Sequence, residues 1–429
     1  MEFGRLTGEL GVARADFRIV TPMFLGDAQQ EASRISAAGI KGALVFWWRA
    51  LHFAGLVAKA GGNAAEALKS LQAREQALFG GPTGQSRVLF KIDAEDLAKP
   101  CQKGDVLRDA EKNTVGPGAC YLGYGLVNAF HIRAKPDEGR PEIKKGELLR
   151  PCFPGGSFTL RLIFRPGTSE DQRKEVLRAL KALGLLGGLG SRVRRGWGSL
   201  ALTRLEGEDV GDGWQPPKDR DEYIEALQAV LGKRPEVSGP DFPLTALAKE
   251  SQLRVGTQTG ADPLTVLNEL GEGLQRYRAW GFKEKVNGKP SEKNFADDHD
   301  WFKKTGKFAK GRGDFVPRRT AFGLPHNYSK HFGVTAPDQE NLQRNRRASP
   351  LFFHIHHVGN EYLPVALFVP TQFLPTGKVA IWEKNRGRVS ETPRDYEFDP
   401  SVITNFLDGR RPNGKKANPE YFPNEPVLE

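Results

Sequence analysis

Cysteine is scarce in this chain of 429 residues: its three cysteines stand far apart, and no CxxC pair occurs. The sequence therefore predicts neither a disulfide framework nor a structural zinc site. An uncharged apolar run of 18 residues is also lacking, and the first residues show no basic segment followed by an apolar one. We expect a cytoplasmic protein that has no membrane partner.

Cationic residues are in excess, and they indicate the class of partner. Lys and Arg number 63 against 52 Asp and Glu, which gives a formal net charge of +11 at pH 7. A basic balance of this size favours a polyanion, and nucleic acid is the first candidate. Glycine (49) and proline (29) are also frequent, so much of the chain is expected in loops, where binding residues concentrate.

The first half of the chain alternates strand and helix patterns. Period-two patterns and turn residues predict strands at 10–20, 87–92, around 120–130, 157–165 and 199–205. Apolar residues at helical spacing predict helices at 37–59, 64–78 and from Thr168 or Ser169 to the glycine run at 184–190. In order, these elements give the ferredoxin-like split βαβ arrangement, an antiparallel sheet backed by helices, over residues 1–206.

The second half is predicted to begin after a linker at 207–221, where glycines and the pair Pro216-Pro217 concentrate. A second domain at 222–375 contains predicted helices at 222–231 and 263–280, a possible strand at 245–255, a polar insertion near 282–345, and a hairpin of 351–357 with 362–368. The tail at 376–429 is rich in proline, asparagine, glycine and charge. Apart from one short helix near 401–407, it is expected to be extended or partly disordered.

The clearest functional signal is GGLGSRVRRGWG at 187–198, which we call the Gly/Arg segment. Its glycines are predicted to let backbone N–H groups converge on a phosphate, its arginines to donate bidentate hydrogen bonds, and its tryptophan to stack on a base. It is neither a Walker loop nor a dinucleotide fingerprint. The predicted RNA contacts are Gly188, Gly190, Ser191, Arg192, Arg194, Arg195 and Trp197. A flexible, solvated basic turn is the alternative.

Two other places combine cations with aromatic rings. At the start of the first helix, where the helix dipole favours a phosphate, the predicted contacts are Arg34, Lys41, Trp47 and Arg49. For Trp47 and Trp48, burial in the core is an equally weighted alternative to RNA contact. Basic residues with interleaved phenylalanines also crowd the stretch from Trp301 to Arg347. The contacts predicted there are Arg318, Arg319, His326, Tyr328, Arg346 and Arg347, with a solvated basic loop as the alternative.

These motifs together resemble the RAMP superfamily, the repeat-associated RNA-binding subunits of CRISPR systems. The GLGSRxRRGxG loop, ISAAGIKGAL followed by WWR, and the short motifs FGG, YLGYG and RASPL resemble the first subunits of type III-B Cmr effector complexes. The resemblance implies an α+β fold of two ferredoxin-like (RRM-like, βαββαβ) domains with long loop insertions. It implies a non-catalytic subunit that holds the guide RNA (crRNA) towards its 3′ part and helps to engage complementary target RNA. The expected protein neighbours are other RAMP subunits, the fourth and the sixth.

A RAMP-type endoribonuclease is the alternative function. His354 and His356 share one face of a predicted strand, so they are candidates for binding a metal or for deprotonating a 2′-hydroxyl in guide-RNA processing. Asp27, with Glu31 nearby, lies in the loop where slicing RAMP subunits carry an aspartate that assists metal-dependent target cleavage. No third ligand accompanies the histidines at a recognisable spacing, and packed histidines and loop acids are common. We therefore expect no catalytic residue, no metal and no cofactor.

Overall fold

The computed structural model describes residues 11–27, 29, 31–82, 84–131, 142–207, 210, 214–279, 285–298, 315–329, 332–337, 346–386, 388–410, 422 and 427–428. In chain order, the elements are β1 (Gly11–Ile19), α1 (Ala37–Lys59), α2 (Ala64–Phe79), β2 (Val88–Asp93), α3 (Pro117–Leu122), β3 (Ser157–Phe164), α4 (Glu170–Leu186), β4 (Leu200–Gly207), α5 (Arg220–Leu231), β5 (Gln252–Val255), α6 (Pro263–Tyr277), β6 (Lys285–Val286), β7 (Lys289–Pro290), β8 (His326–Ser329), β9 (Phe332–Thr335), β10 (Leu351–Val358), β11 (Glu361–Phe368), β12 (Lys378–Asn385), β13 (Arg388–Asp395) and α7 (Ser401–Leu407). None of the described helices is long and apolar enough to cross a membrane.

The first sheet has the strand order β2-β3-β1-β4, and all neighbouring strands are antiparallel. Buried residues alternate along β1, so Ala13, Ala15 and Phe17 all face the core. Helices α1 and α4 pack side by side and complete that core. Of the two predicted start residues of α4, Ser169 is the N-cap, and it forms a capping box with Gln172. An antiparallel sheet backed by helices, the coarser expectation for this half, is thereby confirmed.

A second antiparallel sheet has the order β10-β11-β5. It contains the predicted hairpin of β10 and β11, which is confirmed. Next to β5, the N–H of Val427 donates to Leu253 O at 2.9 Å, so a residue from the far end of the chain lies beside the sheet. Apolar side chains of α6 and α7, including Leu267 and Phe406, pack with Phe353 of β10 in one core.

Helices also connect the two halves of the chain. Helix α3 packs against α6, where the side chain of Asn268 accepts a hydrogen bond from Gly118 N at 2.8 Å. Helix α5, which follows the predicted linker, packs on α4, and the hydroxyl of Tyr223 donates to Leu185 O at 2.6 Å. The strand predicted around 120–130 is wrong, because Pro117 starts a helix whose apolar residues are buried.

A third sheet, in the order β13-β12-β9-β8, corrects the expectation for the tail. Residues 378–395, predicted to be extended or partly disordered, form the hairpin of β12 and β13. Val379 and Ile381 of β12 are buried against Val334 of β9, which comes from the predicted insertion. Composition alone missed this hairpin because its apolar partner lies in a distant segment. The short helix predicted near 401–407 is confirmed as α7.

Candidate nucleic-acid interface

The Gly/Arg segment connects α4 to β4 as a tightly packed turn. Gly190 and Gly198 have φ angles of +92° and +67°, and a Cβ on them would lie 2.6 Å from Phe24 O and 2.1 Å from Leu189 O, respectively. The N–H groups of Ser191 and Leu189 donate to Phe24 O (2.9 Å) and Gly198 O (3.0 Å). The predicted free N–H group is therefore wrong at Ser191, since the chain itself uses this donor and that of Leu189. The glycines permit close packing of backbone.

Gly188 has the same structural role. It forms an isolated antiparallel bridge with Ser199, and a Cβ at this position would lie 2.3 Å from Gly198 O. Because Gly188 is also buried, its predicted contact with a phosphate is corrected to a packing role.

Backbone carbonyls anchor Arg192 and Arg195. Arg192 donates to Tyr124 O at 2.7 Å, and Arg195 donates to Phe322 O at 2.9 Å. Burial, followed by the nearby charge of Arg278, lowers the pKa of Arg195 to about 10. The guanidinium therefore stays cationic at neutral pH, although no carboxylate among the described residues pairs with it to offset its desolvation.

Arg194 joins the Gly/Arg segment to the second basic stretch. Its guanidinium carbon lies 4.4 Å from the centre of the Phe352 ring, a cation–π contact. Burial, followed by nearby Arg347, lowers the pKa of Arg194 to about 10. Arg347 is fixed by main-chain hydrogen bonds with Leu324 in both directions, at 2.8 and 3.1 Å, and its side chain donates to Gln372 O. Two basic motifs that are distant in sequence thus meet.

Arginines from three segments form one group that we call the arginine cluster. After burial, the charge of a neighbouring arginine lowers the pKa of three members: Arg346 acts on Arg192, Arg347 on Arg194, and Arg278 first on Arg195. The cluster therefore consists of Arg192, Arg194, Arg195, Arg278, Arg346 and Arg347. Within the described part of the chain, no member forms an ion pair with a carboxylate. Like charges held together in this way repel, and a bound polyanion relieves that repulsion.

A cleft of about 270 Å³, which we call the basic cleft, opens beside the cluster. It is lined by Phe46, Arg49, Arg194, Pro243, Leu244, Thr245, Arg347, Ala348, Pro350, Thr371 and Phe373. Arg49 reaches the cleft from α1 and is held there by two hydrogen bonds to the carboxylate of Glu75. Among the described residues that line the cleft, none is acidic. The predicted contacts Arg49, Arg194 and Arg347 therefore share one concave surface.

The start of α1 has contacts of its own. The side chain of Ser36 caps the helix by accepting a hydrogen bond from Gly39 N at 3.1 Å. Lys41 donates to Phe79 O at the end of α2, so part of its donor capacity is used within the chain. Arg34 is exposed.

Trp47 and Trp197 are core residues, so the predicted stacking of these rings on RNA bases is wrong. Trp47 is 4% exposed, and Trp48 and Trp197 are 0% exposed. Helix α1 packs against both α2 and α4, so two adjacent tryptophans are buried on different sides of it. The ring of Trp197 packs edge-on against Phe24, with centroids 5.5 Å apart.

Arg319 is a buried ion-pair partner and not a surface cation. Its Nε lies 2.9 Å from Oδ2 of Asp298, and both side chains are almost inaccessible. Its guanidinium also lies 5.2 Å from the ring centre of Tyr328, which packs on His326. Burial lowers the pKa of His326 well below its usual range. The predicted RNA contacts Arg319, His326 and Tyr328 are thus corrected to internal packing.

Arg318 is less buried than Arg319, but its side chain is likewise paired, with Asp399 at 3.2 Å. The basic run that precedes it, from Trp301 to Asp314, lies outside the described residues.

The two strand histidines are packed away from the surface. His354 and His356 are 3% and 1% exposed, their nearest ring nitrogens are 3.2 Å apart, and His356 stacks on Tyr223. Burial lowers the pKa of His354 to about 3, so the imidazole is neutral. Neither ring is placed to reach a 2′-hydroxyl.

Asp27 organises its own loop. Its carboxylate accepts hydrogen bonds from Gln29 N (2.9 Å), Glu31 N (3.0 Å) and the hydroxyl of Ser33 (2.7 Å). These bonds, the Ser33 hydroxyl first, hold the pKa of Asp27 below its usual value. Among the described residues, no group of three His, Cys, Asp or Glu side chains is arranged to hold a metal ion.

Sequence reasoning missed Arg278. This residue follows α6, donates to the hydroxyl of Tyr121, and places its guanidinium 4.9 Å from the centre of the Phe322 ring. A cation just after a helix is ordinarily explained by the helix dipole. No local pattern indicates that the fold brings Arg278 beside the Gly/Arg segment.

Part of the chain is similar in sequence to known proteins. Residues 16–201 match the profile of the RAMP superfamily. The Pyrococcus furiosus protein named CRISPR system Cmr subunit Cmr1-2 is 28% identical over 193 residues, which cover 44% of this chain and 94% of that protein. Subunit Cmr1-1 of the same organism is 27% identical over 212 residues, which cover 49% of this chain and 53% of that protein.

A solved structure shares the fold over nearly the whole chain. The crystal structure of Cmr1 from Pyrococcus furiosus in its apo form aligns with a TM-score of 0.51 and 21% identity, covering 94% of this chain and 97% of that one. The similarity therefore extends well beyond the residues matched by the family profile.

Proposed function

We infer that this chain, a RAMP-superfamily protein similar to Cmr1 subunits, is an RNA-binding subunit of a type III-B CRISPR Cmr effector complex. The observation that carries the proposal is the arginine cluster. Backbone carbonyls or aromatic rings contact five of its six members, all but Arg346. No described carboxylate forms an ion pair with any member. Guanidinium groups fixed in this way are suited to the non-bridging oxygens of phosphodiesters.

The basic cleft supplies the shape for this contact. Arg194 and Arg347 lie on its wall beside Phe46 and Phe373, so phosphate and apolar nucleotide surfaces both find complementary groups. Exposed Arg192 and Arg346 extend the positive surface beyond the cleft. RNA contact is thus proposed mainly for arginines, and no longer for the two buried tryptophans.

The more specific role follows from the family resemblance. We propose that the bound strand is the guide RNA towards its 3′ part, with complementary target RNA engaged beside it, and that the fourth and sixth RAMP subunits are the neighbours. A non-catalytic role is supported by the two places considered for catalysis. His354 is buried and neutral, and the carboxylate of Asp27 holds its own loop.

The second half is proposed to be a second ferredoxin-like domain. In chain order, helix α6 follows β5 and precedes the hairpin of β10 and β11. The order of strands in this sheet, β10-β11-β5, matches the order of three strands of the first sheet, β2-β3-β1. On the other edge of β5, Val427 lies beside Leu253, in the position that β4 occupies beside β1 in the first sheet. The proposed domains are 1–206 and 222–375, joined by 207–221 and supplemented by tail residues.

The test uses fluorescence anisotropy of end-labelled single-stranded RNA, titrated with the full chain at several salt concentrations. In the variant Arg192→Glu with Arg346→Glu, both residues are exposed, so the fold should be retained. Each lost phosphate contact is expected to flatten the slope of log K against log salt by about 0.7, hence about 1.4 for the pair. The matched control, Lys69→Glu with Lys91→Glu, changes the same charge at exposed positions outside the arginine cluster.

The control variant is expected to keep the slope of the unaltered chain. Equal slopes for all three proteins would place the RNA site elsewhere. Equal flattening in both variants would mean that net charge, and not the arginine cluster, determines binding. Shortened RNA produced by the unaltered chain would overturn the non-catalytic proposal.

A further inference from the structure

Two of the three cysteines face each other across the fold, although they are distant in sequence. Cys101 and Cys152 form an antiparallel bridge in which Cys101 N donates to Cys152 O at 2.9 Å and Cys152 N donates to Cys101 O at 3.1 Å. A pair that exchanges both hydrogen bonds has Cα atoms about 5.5 Å apart. That separation falls in the middle of the range that a disulfide spans.

Residues directly opposite each other in an antiparallel pair project to the same face, with Cβ atoms about 4.5–5.5 Å apart, so the two side chains are neighbours. The Cys152 side chain is the main cause that lowers the pKa of Cys101 to about 7, while the pKa of Cys152 is raised. A large share of Cys101 is therefore thiolate at neutral pH, and the thiolate is the reactive form of cysteine. Cys152 stays protonated beside it.

Solvent can reach this pair from one side. Cys101 is only partly buried, whereas Cys152 is buried. Residues next to both cysteines, Gln102 and Lys103 on one side of the bridge and Arg150 and Pro151 on the other, line a cleft of about 450 Å³. Because Cys101 is partly exposed beside this cleft, a small polar oxidant can approach it.

We propose that Cys101 and Cys152 form a site of reversible oxidation whose substrates are hydroperoxides. The Cys101 thiolate attacks one peroxide oxygen, the O–O bond breaks, and the departing hydroxide or alkoxide takes a proton, leaving Cys101 as sulfenic acid. The sulfur of Cys152 then attacks the Cys101 sulfur, the S–O bond breaks, and the hydroxide leaves as water with the Cys152 proton. Two electrons pass from the thiols to the peroxide, and a dithiol reverses the change by exchange.

Cys120 supplies an internal control. Its side chain is 0% exposed, and burial raises its pKa to about 11. It therefore stays a protonated thiol under conditions in which Cys101 reacts.

The experiment maps thiols in the full-length native chain. The protein is treated at pH 7 with near-equimolar hydrogen peroxide, quenched with catalase, denatured, alkylated and digested with trypsin. The expected product joins peptide 92–103 to peptide 146–161, which contain Cys101 and Cys152, at a mass lower by two hydrogen atoms. Peptide 113–133 should carry an alkylated Cys120, and dithiothreitol should restore all three thiols.

Variants then separate the two steps. Cys152→Ser should leave a sulfenic acid on Cys101 that dimedone traps, and Cys120→Ser should form the cross-link as the unaltered chain does. Three alkylated thiols after peroxide treatment would overturn the proposal. A cross-link that includes Cys120, or one that forms only in the urea-unfolded chain, would overturn it as well. Mapping the unaltered chain is decisive even where a variant fails to fold.

Discussion

Gly198→Ala distinguishes a packing role for the glycines of the Gly/Arg segment from a phosphate-binding role. Gly198 has φ +67°, and the added Cβ would lie 2.1 Å from Leu189 O. That oxygen belongs to the backbone, so it cannot move aside as a flexible side chain does. The Leu189–Gly198 contact must therefore open.

The expected cost follows from the contacts that are lost. Left-handed backbone costs an alanine roughly 1–2 kcal/mol. Gly198 O accepts from Leu189 N and Gly198 N donates to Pro22 O, both at 3.0 Å, and two such bonds contribute about 1 kcal/mol each. The free energy of unfolding should fall by about 3–4 kcal/mol. The salt slope of RNA binding should not change, because the arginines are retained.

Urea unfolding and RNA anisotropy are measured together on the purified variants. Gly55→Ala is the matched control, because Gly55 lies within α1 and a Cβ there meets nothing within 4 Å. This control should gain roughly 0.5–1 kcal/mol of stability. The packing argument fails if Gly198→Ala unfolds at the same urea concentration as the unaltered chain, or if it keeps its stability but binds RNA with a flatter salt slope.

Two further predictions use the same assays. Trp197→Ala should lower the free energy of unfolding by about 3–5 kcal/mol without changing the salt slope of RNA binding, because the ring is buried. A flatter slope at unchanged stability would instead support stacking of this ring on a base. The folded pKa of His354, about 3, lies below its unfolded value of about 6.5. The stability that depends on keeping this imidazole neutral is therefore complete above about pH 6.5 and is lost as the pH falls. At pH 5 the free energy of unfolding should be lower by about 2 kcal/mol. Buried His356 shifts in the same direction, and equal urea midpoints at pH 7 and pH 5 would contradict this.

Local patterns were sufficient for most elements of the fold. The strand alternation of β3, the capping box at Ser169 and the hairpin of β10 and β11 depend on neighbouring residues, and each is found in the structure. The hairpin of β12 and β13 was missed because Val379 is stabilised by Val334 of a distant insertion. Composition reports whether a segment can form a core by itself, and not whether another segment completes one.

The candidate site was predicted at the level of segments, and less well at the level of individual atoms. The Gly/Arg segment and the pair Arg346-Arg347 meet as one surface, in keeping with their shared composition. A glycine-rich turn looks the same in sequence whether its N–H groups face a ligand or a carbonyl. In this chain, the N–H of Ser191 is used by Phe24 O.

Arg319 and Arg347 show why cations cannot be ranked from sequence. Both belong to the same basic stretch, yet Arg319 has Asp298 at 2.9 Å in a buried pair, whereas Arg347 donates to the carbonyl of Gln372. An arginine that is neutralised by a carboxylate contributes little long-range field, so a phosphate gains little from approaching it. An arginine held by a carbonyl keeps its full charge and loses only its freedom to rotate. The arginines that we propose for RNA binding are therefore those that no carboxylate neutralises, and the folded structure is needed to identify them.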